Sequence, residues 1–239
     1  IMNKFVEMGK TTMQSPMRIF YNTNFKTLQY KDNDAIELWS KFQPDCISVG
    51  ASLDDAGKRG EYIRKGTIWS ETVKNRMRMK EECPKIDFNI SCTVSMFNIL
   101  NIDKFFWQMV DEKMIDVVDF GVNILLGKHI HRCTILPERY RKQAQKNIEK
   151  LIEKVEWQDD LGRTTSTFKS LHKFLDEDMS HLIIPSMREA KEMDRFRQET
   201  LFEAIPELGE IDELRQAYEN AETLIDPEPG SVMNFAQGE

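Results

Sequence analysis

The chain has 239 residues, 40% of them hydrophobic, with 14 phenylalanines, which supplies a sizeable core and excludes global disorder. A formal net charge of −7 argues against a broad electrostatic footprint on nucleic acid. No stretch reaches the roughly 18 apolar residues of a membrane span, residues 1–10 do not read as a signal peptide, and the dispersed cysteines suit a reducing cytoplasm.

Residues 17–23 (MRIFYNT) read as a first strand and residues 33–42 as a helix. The most informative stretch follows, residues 47–69, ISVGASLDDAGKRGEYIRKGTIW. Ile47, Val49, Ala51 and Leu53 alternate with Ser48, Gly50, Ser52 and Asp54, so this strand has one apolar face and one small, polar face. A charged helix start comes after Asp-Asp-Ala-Gly. Residues 69–82 and 101–113 carry apolar side chains at helical spacing, and strands are expected at residues 86–94 and 116–124. Strand–helix alternation of this kind implies parallel strands joined by right-handed crossovers.

Polar alternation recurs in the later strands. Asp87, Asn89, Ser91 and Thr93 interleave with Phe88, Ile90 and Cys92, while Asp119, Gly121 and Asn123 interleave with Phe120 and Val122. Such groups cost on the order of 1–3 kcal/mol each if left dry and unpaired. A curved sheet with helices outside and a wet or ligand-filled concavity inside satisfies all of them. The fold expected is therefore α/β, a partial parallel (β/α) barrel over residues 1–136. A C-terminal helical region over 137–225 carries helices at 138–157, 167–176, 184–202 and 211–219, before a loose tail at 226–239.

Ser52 and Asp54 fall at the carboxyl end of a parallel strand, where ligands bind in βα architectures; Asp54 or Asp55 capping a turn before Gly57 is the competing reading. Arg64 can receive a carboxylate or make a surface ion pair. Asn22 and Asn24 are turn formers or cavity amides, and Asn89 and Asn123 lie on the polar face. Thr93 and Asn98 end the third strand, Asn98 doubling as a helix-entry residue. His129, His131 and Cys133 would share one face if KHIHRC were extended, but surface residues are the expected reading and no metal ligand set is assigned. His172 and His181 stand without a sequence partner, and the tryptophans read as core. No GxSxG, P-loop or GxGxxG motif occurs.

The order FYNTN, ISVGASLDDAGKRGEYIRKGTIW, ISCTVSMFN, LPERYRKQ and FRQETLFEAIPEL resembles the latter part of twitch-domain-containing radical SAM proteins, from about Ile19 to Leu208. The resemblance implies a partial (β/α) barrel with S-adenosylmethionine as cosubstrate, cleaved reductively by a [4Fe–4S] cluster on a CxxxCxxC loop. It assigns Ser52, Asp54, Arg64, Thr93 and Asn98 to the cofactor edge, with Arg64 toward the methionyl carboxylate and Thr93 and Asn98 toward the ribose. Asn22, Asn24, Asn89 and Asn123 then line a cavity for a small-molecule or peptide substrate. CxxxCxxC is absent here, Asp55 replaces the usual glycine after Ser-x-Asp, and Phe25 stands where glycine follows Thr-Asn. The chain therefore reads as the C-terminal portion of such an enzyme, acting with a separate cluster-bearing part. The alternative is a non-catalytic βα binding protein. Neither nucleic acid nor a membrane is expected as partner.

Overall fold

A computed structural model describes residues 18–42 and 46–221, together with Lys4. Strand β1 (Ile19–Thr23) leads through a two-strand hairpin, β2 (Gln29–Tyr30) and β3 (Asn33–Asp34), to the short helix α1 (Ala35–Trp39). Strand β4 (Ile47–Ala51) precedes α2 (Gly57–Ile63) and α3 (Trp69–Glu82). Strand β5 (Asp87–Val94) precedes α4 (Ile102–Asp111), and β6 (Phe120–Ile124) completes the sheet. Its order is β1-β4-β5-β6 and every pairing is parallel, so the fold is α/β with strands adjacent in chain order.

Central β4 is buried along its whole length, while β5 alternates. Phe88, Ile90, Cys92 and Val94 of β5 are buried, whereas Asp87, Asn89, Ser91 and Thr93 are half-exposed. The apolar side packs with the helices: Phe120 meets Phe105 and Phe106 of α4 at ring-centroid distances of 5.7 and 5.4 Å, and Arg76 of α3 stacks on Phe88 at 4.0 Å. Burial holds the Arg76 guanidinium down to about 10, and its Nε donates to Met114 O at 2.7 Å.

After β6 come two 3-10 turns, His129–His131 and Cys133–Ile135, then α5 (Glu138–Val155) and α6 (Arg163–Phe174). Helix α6 covers the outer edge of β6: Phe168 stacks on Phe120 at 5.9 Å and Thr167 Oγ1 accepts from Val122 N at 3.2 Å. That contact protects an edge that would otherwise invite pairing. Arg141 of α5 ties the pair together, donating to Leu136 O, Leu175 O and Glu177 O at 3.0, 2.9 and 2.7 Å. Asp159 starts α6 by accepting from the backbone N–H groups of Arg163, Thr164 and Thr165 at 2.9, 2.9 and 2.7 Å. Burial pushes its carboxyl up, but those hydrogen bonds prevail and hold it below its ordinary value.

The chain divides into two compact units, Ile1–Leu182 and Ile183–Glu239. The second consists, among the described residues, of α7 (Ile183–Arg197), α8 (Leu201–Ala204), α9 (Pro206–Gly209) and α10 (Asp212–Glu219). Buried Asp194 organises it, accepting from Leu201 N and from the Tyr218 hydroxyl, each at 2.6 Å.

Several expected boundaries move, for local reasons. The helix expected at 33–42 shrinks because Asn33–Asp34 pairs in the hairpin and Asp34 then caps α1, accepting from Glu37 N at 3.0 Å. The strand expected from 116 begins at Phe120, because Asp119 N closes a turn onto Asp116 O at 3.0 Å. The helix expected at 184–202 breaks after Arg197, where Gln198 takes φ 54° and the chain turns back onto Asp194. The tryptophans are not uniformly core: Trp39 is fully buried but Trp157 is 75% exposed. Residue 17 and the tail at 226–239 lie outside the described residues. Among those described, no helix is long and apolar enough to cross a membrane.

Candidate functional site

Strand register gathers the polar side chains onto one face. Asn22 lies opposite Gly50, and Gly50 opposite Asn89; further along, Ser91 lies opposite Gly121 and Thr93 opposite Asn123. Glycine is needed at position 50, since a Cβ there would come 2.7 Å from Asn22 Oδ1 and 3.3 Å from Asn89 Oδ1. The two amides thus close over a backbone that only glycine leaves open. Asn123 Nδ2 donates to Ser91 Oγ at 2.7 Å, and Asn89 Nδ2 to Ser48 Oγ at 3.4 Å. Asn22 and Asn123 remain exposed and Asn89 half-exposed, so amide hydrogen-bonding groups line this face. Asn24 does something else: its Oδ1 accepts from Lys26 N at 3.1 Å, forming a turn beyond β1.

At the carboxyl ends of β4 and β5 the remaining candidates form one network. Asp54, 5% exposed, accepts from Arg64 Nε at 2.7 Å, Arg64 Nη2 at 3.1 Å and Thr93 N at 2.8 Å. Asn98 is fully buried, with Nδ2 donating to Asp54 O at 2.7 Å and Thr93 O at 3.0 Å while Oδ1 accepts from Ser95 N at 2.8 Å. Asp55 accepts from both Ala56 N and Asn101 Nδ2, the latter at 3.0 and 3.1 Å. Asp54 and Asn98 therefore spend their polar atoms within the protein. Arg64, whose side chain stays 31% exposed, is the charged group that this scaffold presents outward. Ser52 is half-buried just past the end of β4, its N–H donating to Thr23 O at 2.8 Å.

Asn101 joins the network from the structure, as the donor to Asp55. Asp119, which the sequence places on the polar alternation, lies apart from this network, just before β6 at the amino end of the sheet. Burial pushes its carboxyl up to about 6, helped by the nearby Asp87 and Asp116 carboxylates.

The cysteines do not fit an iron–sulfur site. Cys83, Cys92 and Cys133 are buried, and among the described residues no group of three potential metal ligands exists. Burial pushes the Cys83 thiol to about 11 and Cys133 to about 12, and raises Cys92 well above its usual range, whereas cluster ligation needs thiolates. The KHIHRC segment forms 3-10 turns: His129 is exposed, whereas His131 is buried with its ring 5.0 Å from Phe97. His172 has a partner after all, Glu149 at 2.9 Å across α5 and α6. No family model matches the chain, and no curated protein or solved structure matches it.

Proposed function

We propose that the chain is the C-terminal portion of a radical SAM enzyme, its polar sheet face forming part of the wall of a partial (β/α) barrel. The observation that carries this reading is the coincidence of a sequential, all-parallel sheet with a polar face that ends at the Asp54–Arg64–Thr93–Asn98 network. Sequential parallel strands with right-handed crossovers keep their connecting helices on one side, as in a barrel wall, whereas doubly wound sheets reverse direction.

Within this reading S-adenosylmethionine lies along Ser52, Arg64 and the Thr93 end of β5 and supplies the radical chemistry when bound. Arg64 receives its carboxylate, and Asp54 with Asn98 hold Arg64 and the strand ends in position rather than touching the ligand. Asn22, Asn89 and Asn123 face the small-molecule or peptide substrate. The cluster, for which this chain's cysteines are unsuited, belongs to a separate part that completes the enzyme.

A non-catalytic binding protein is the second reading, favoured by Asp54 and Asn98 spending their polar atoms on the protein itself. Calorimetric titration with S-adenosylmethionine tests the first. Saturable binding that weakens about tenfold in Arg64→Ala supports it; no binding, or binding indifferent to Arg64, overturns the cofactor assignment.

A further inference from the structure

A cleft of about 400 Å³ opens between residues 26–29 and one side of α3, and none of its lining residues belongs to the polar sheet face. Three cations reach it, Lys26, Lys74 and Arg78, against the carboxylates of Asp34 and Glu71. Arg78 is already committed: Nη1 holds Asp34 at 2.7 Å and Nε holds Glu82 at 2.7 Å. Asp34 is committed too, its second oxygen capping α1. Lys74 and Glu71 face each other across 3.9 Å with both side chains exposed, a geometry worth about 0–1 kcal/mol. Lys26 forms no ion pair among the described residues. It is half-buried, its ammonium set against Gly66, where a Cβ would come 2.8 Å from Nζ.

The loop carrying Lys26 is held in a costly shape. Phe25 takes φ 55°, a left-handed conformation that costs a bulky residue on the order of 1–3 kcal/mol. Several contacts enforce it. Phe25 N donates to Thr23 Oγ1 at 3.0 Å, and Asn75 Nδ2 of α3 clamps Phe25 O and Lys26 O at 3.1 and 3.2 Å. The Phe25 ring is fully buried, 5.2 Å from Phe88 and 6.4 Å from Trp39. The backbone around Lys26 is thus fixed from both sides, and the residue it fixes lines the cleft and has no ion-pair partner among the described residues. Strain maintained by so many contacts is the pattern of a loop that positions a functional group.

We infer that this cleft binds a small phosphate-bearing molecule, with Lys26 as the preset charge and Lys74 swinging from Glu71 to close on the anion. Phosphate is favoured because two ammonium groups, one preset and one loosely paired, match a dianion. The site is separate from the polar sheet face and stands or falls independently of the cofactor reading.

Titration of the full chain with inorganic phosphate at low ionic strength, followed by amide chemical shifts, tests it. Saturable shifts at Lys26, Thr27 and Lys74 are expected, with affinity falling about tenfold in Lys26→Ala and in Lys26→Gln, and several-fold in Lys74→Ala. Lys146→Ala, on the exposed side of α5, should bind like the parent. Unsaturated shifts spread over all lysines, or equal losses at Lys146 and Lys26, would mean diffuse counterion attraction and would overturn the site.

Discussion

Removing both members of the Asp54–Arg64 pair should cost far less than the sum of the two single removals. Asp54 is nearly buried and receives three hydrogen bonds, two of them from Arg64, which itself keeps 31% of its side chain in solvent. In Arg64→Gln the carboxylate keeps only Thr93 N as a strong donor and cannot reach water, so the loss should be about 3 kcal/mol. In Asp54→Asn the stranded group is a guanidinium that can turn outward and rehydrate, which reduces the loss to about 2 kcal/mol. The double variant has no stranded charge and should lose about 2–3 kcal/mol, well below the sum of the singles. Urea unfolding followed by circular dichroism, with unchanged slope as the check on two-state behaviour, gives all three values. Additive losses, or an Arg64→Gln effect smaller than that of Asp54→Asn, would refute the view of Asp54 as a buried anchor for a presented arginine.

Three further outcomes follow from the same geometry. Asp119 has a raised carboxyl pKa, so its contribution to stability is complete below about pH 3.8 and is lost as pH rises through about 6. Asp119→Asn should then be ~1–2 kcal/mol more stable than the parent at pH 7.5, with no advantage at pH 3.5, in thermal melts across that range. Asp159 has the opposite sign: its lowered pKa adds stability above the ordinary carboxyl range that disappears as pH falls through the folded value. Asp159→Ala should lose ~1–2 kcal/mol at neutral pH by chemical denaturation, and the gap should narrow in acid. Gly50→Ala should cost ~1 kcal/mol by forcing Asn22 off the strand, and Asn22→Ala in the same chain should recover most of it.

The parallel sheet and its polar face were legible because period-two alternation in β5 and β6 survives tertiary packing, whereas in β4 both faces are buried. Helix α3 matches its expected bounds, Trp69–Glu82, since its amphipathic spacing begins and ends within one segment. Pairing was less legible. The Arg64 sequence allowed either a ligand contact or an ion pair, and only the fold around Asp55–Ile63 brings its guanidinium onto Asp54. Asn24 and Asn22 look equivalent in FYNTN, yet strand register turns one onto Gly50 and leaves the other in a turn. The β2–β3 hairpin is not legible in the sequence because two-residue strands carry too little alternation. The exposure of Trp157 was hidden for the converse reason: its place in a helical spacing says nothing of α5 ending at Val155.

Chemical-shift mapping of isotopically labelled protein titrated with S-adenosylmethionine bears most directly on the central proposal. Saturable perturbations should concentrate at Ser52, Arg64, Thr93 and the Gly121–Asn123 end of β6, with the Arg64 Nε–H signal among the largest. Perturbations confined to other surfaces, or none at millimolar ligand, would contradict the assignment of the polar sheet face to this cofactor.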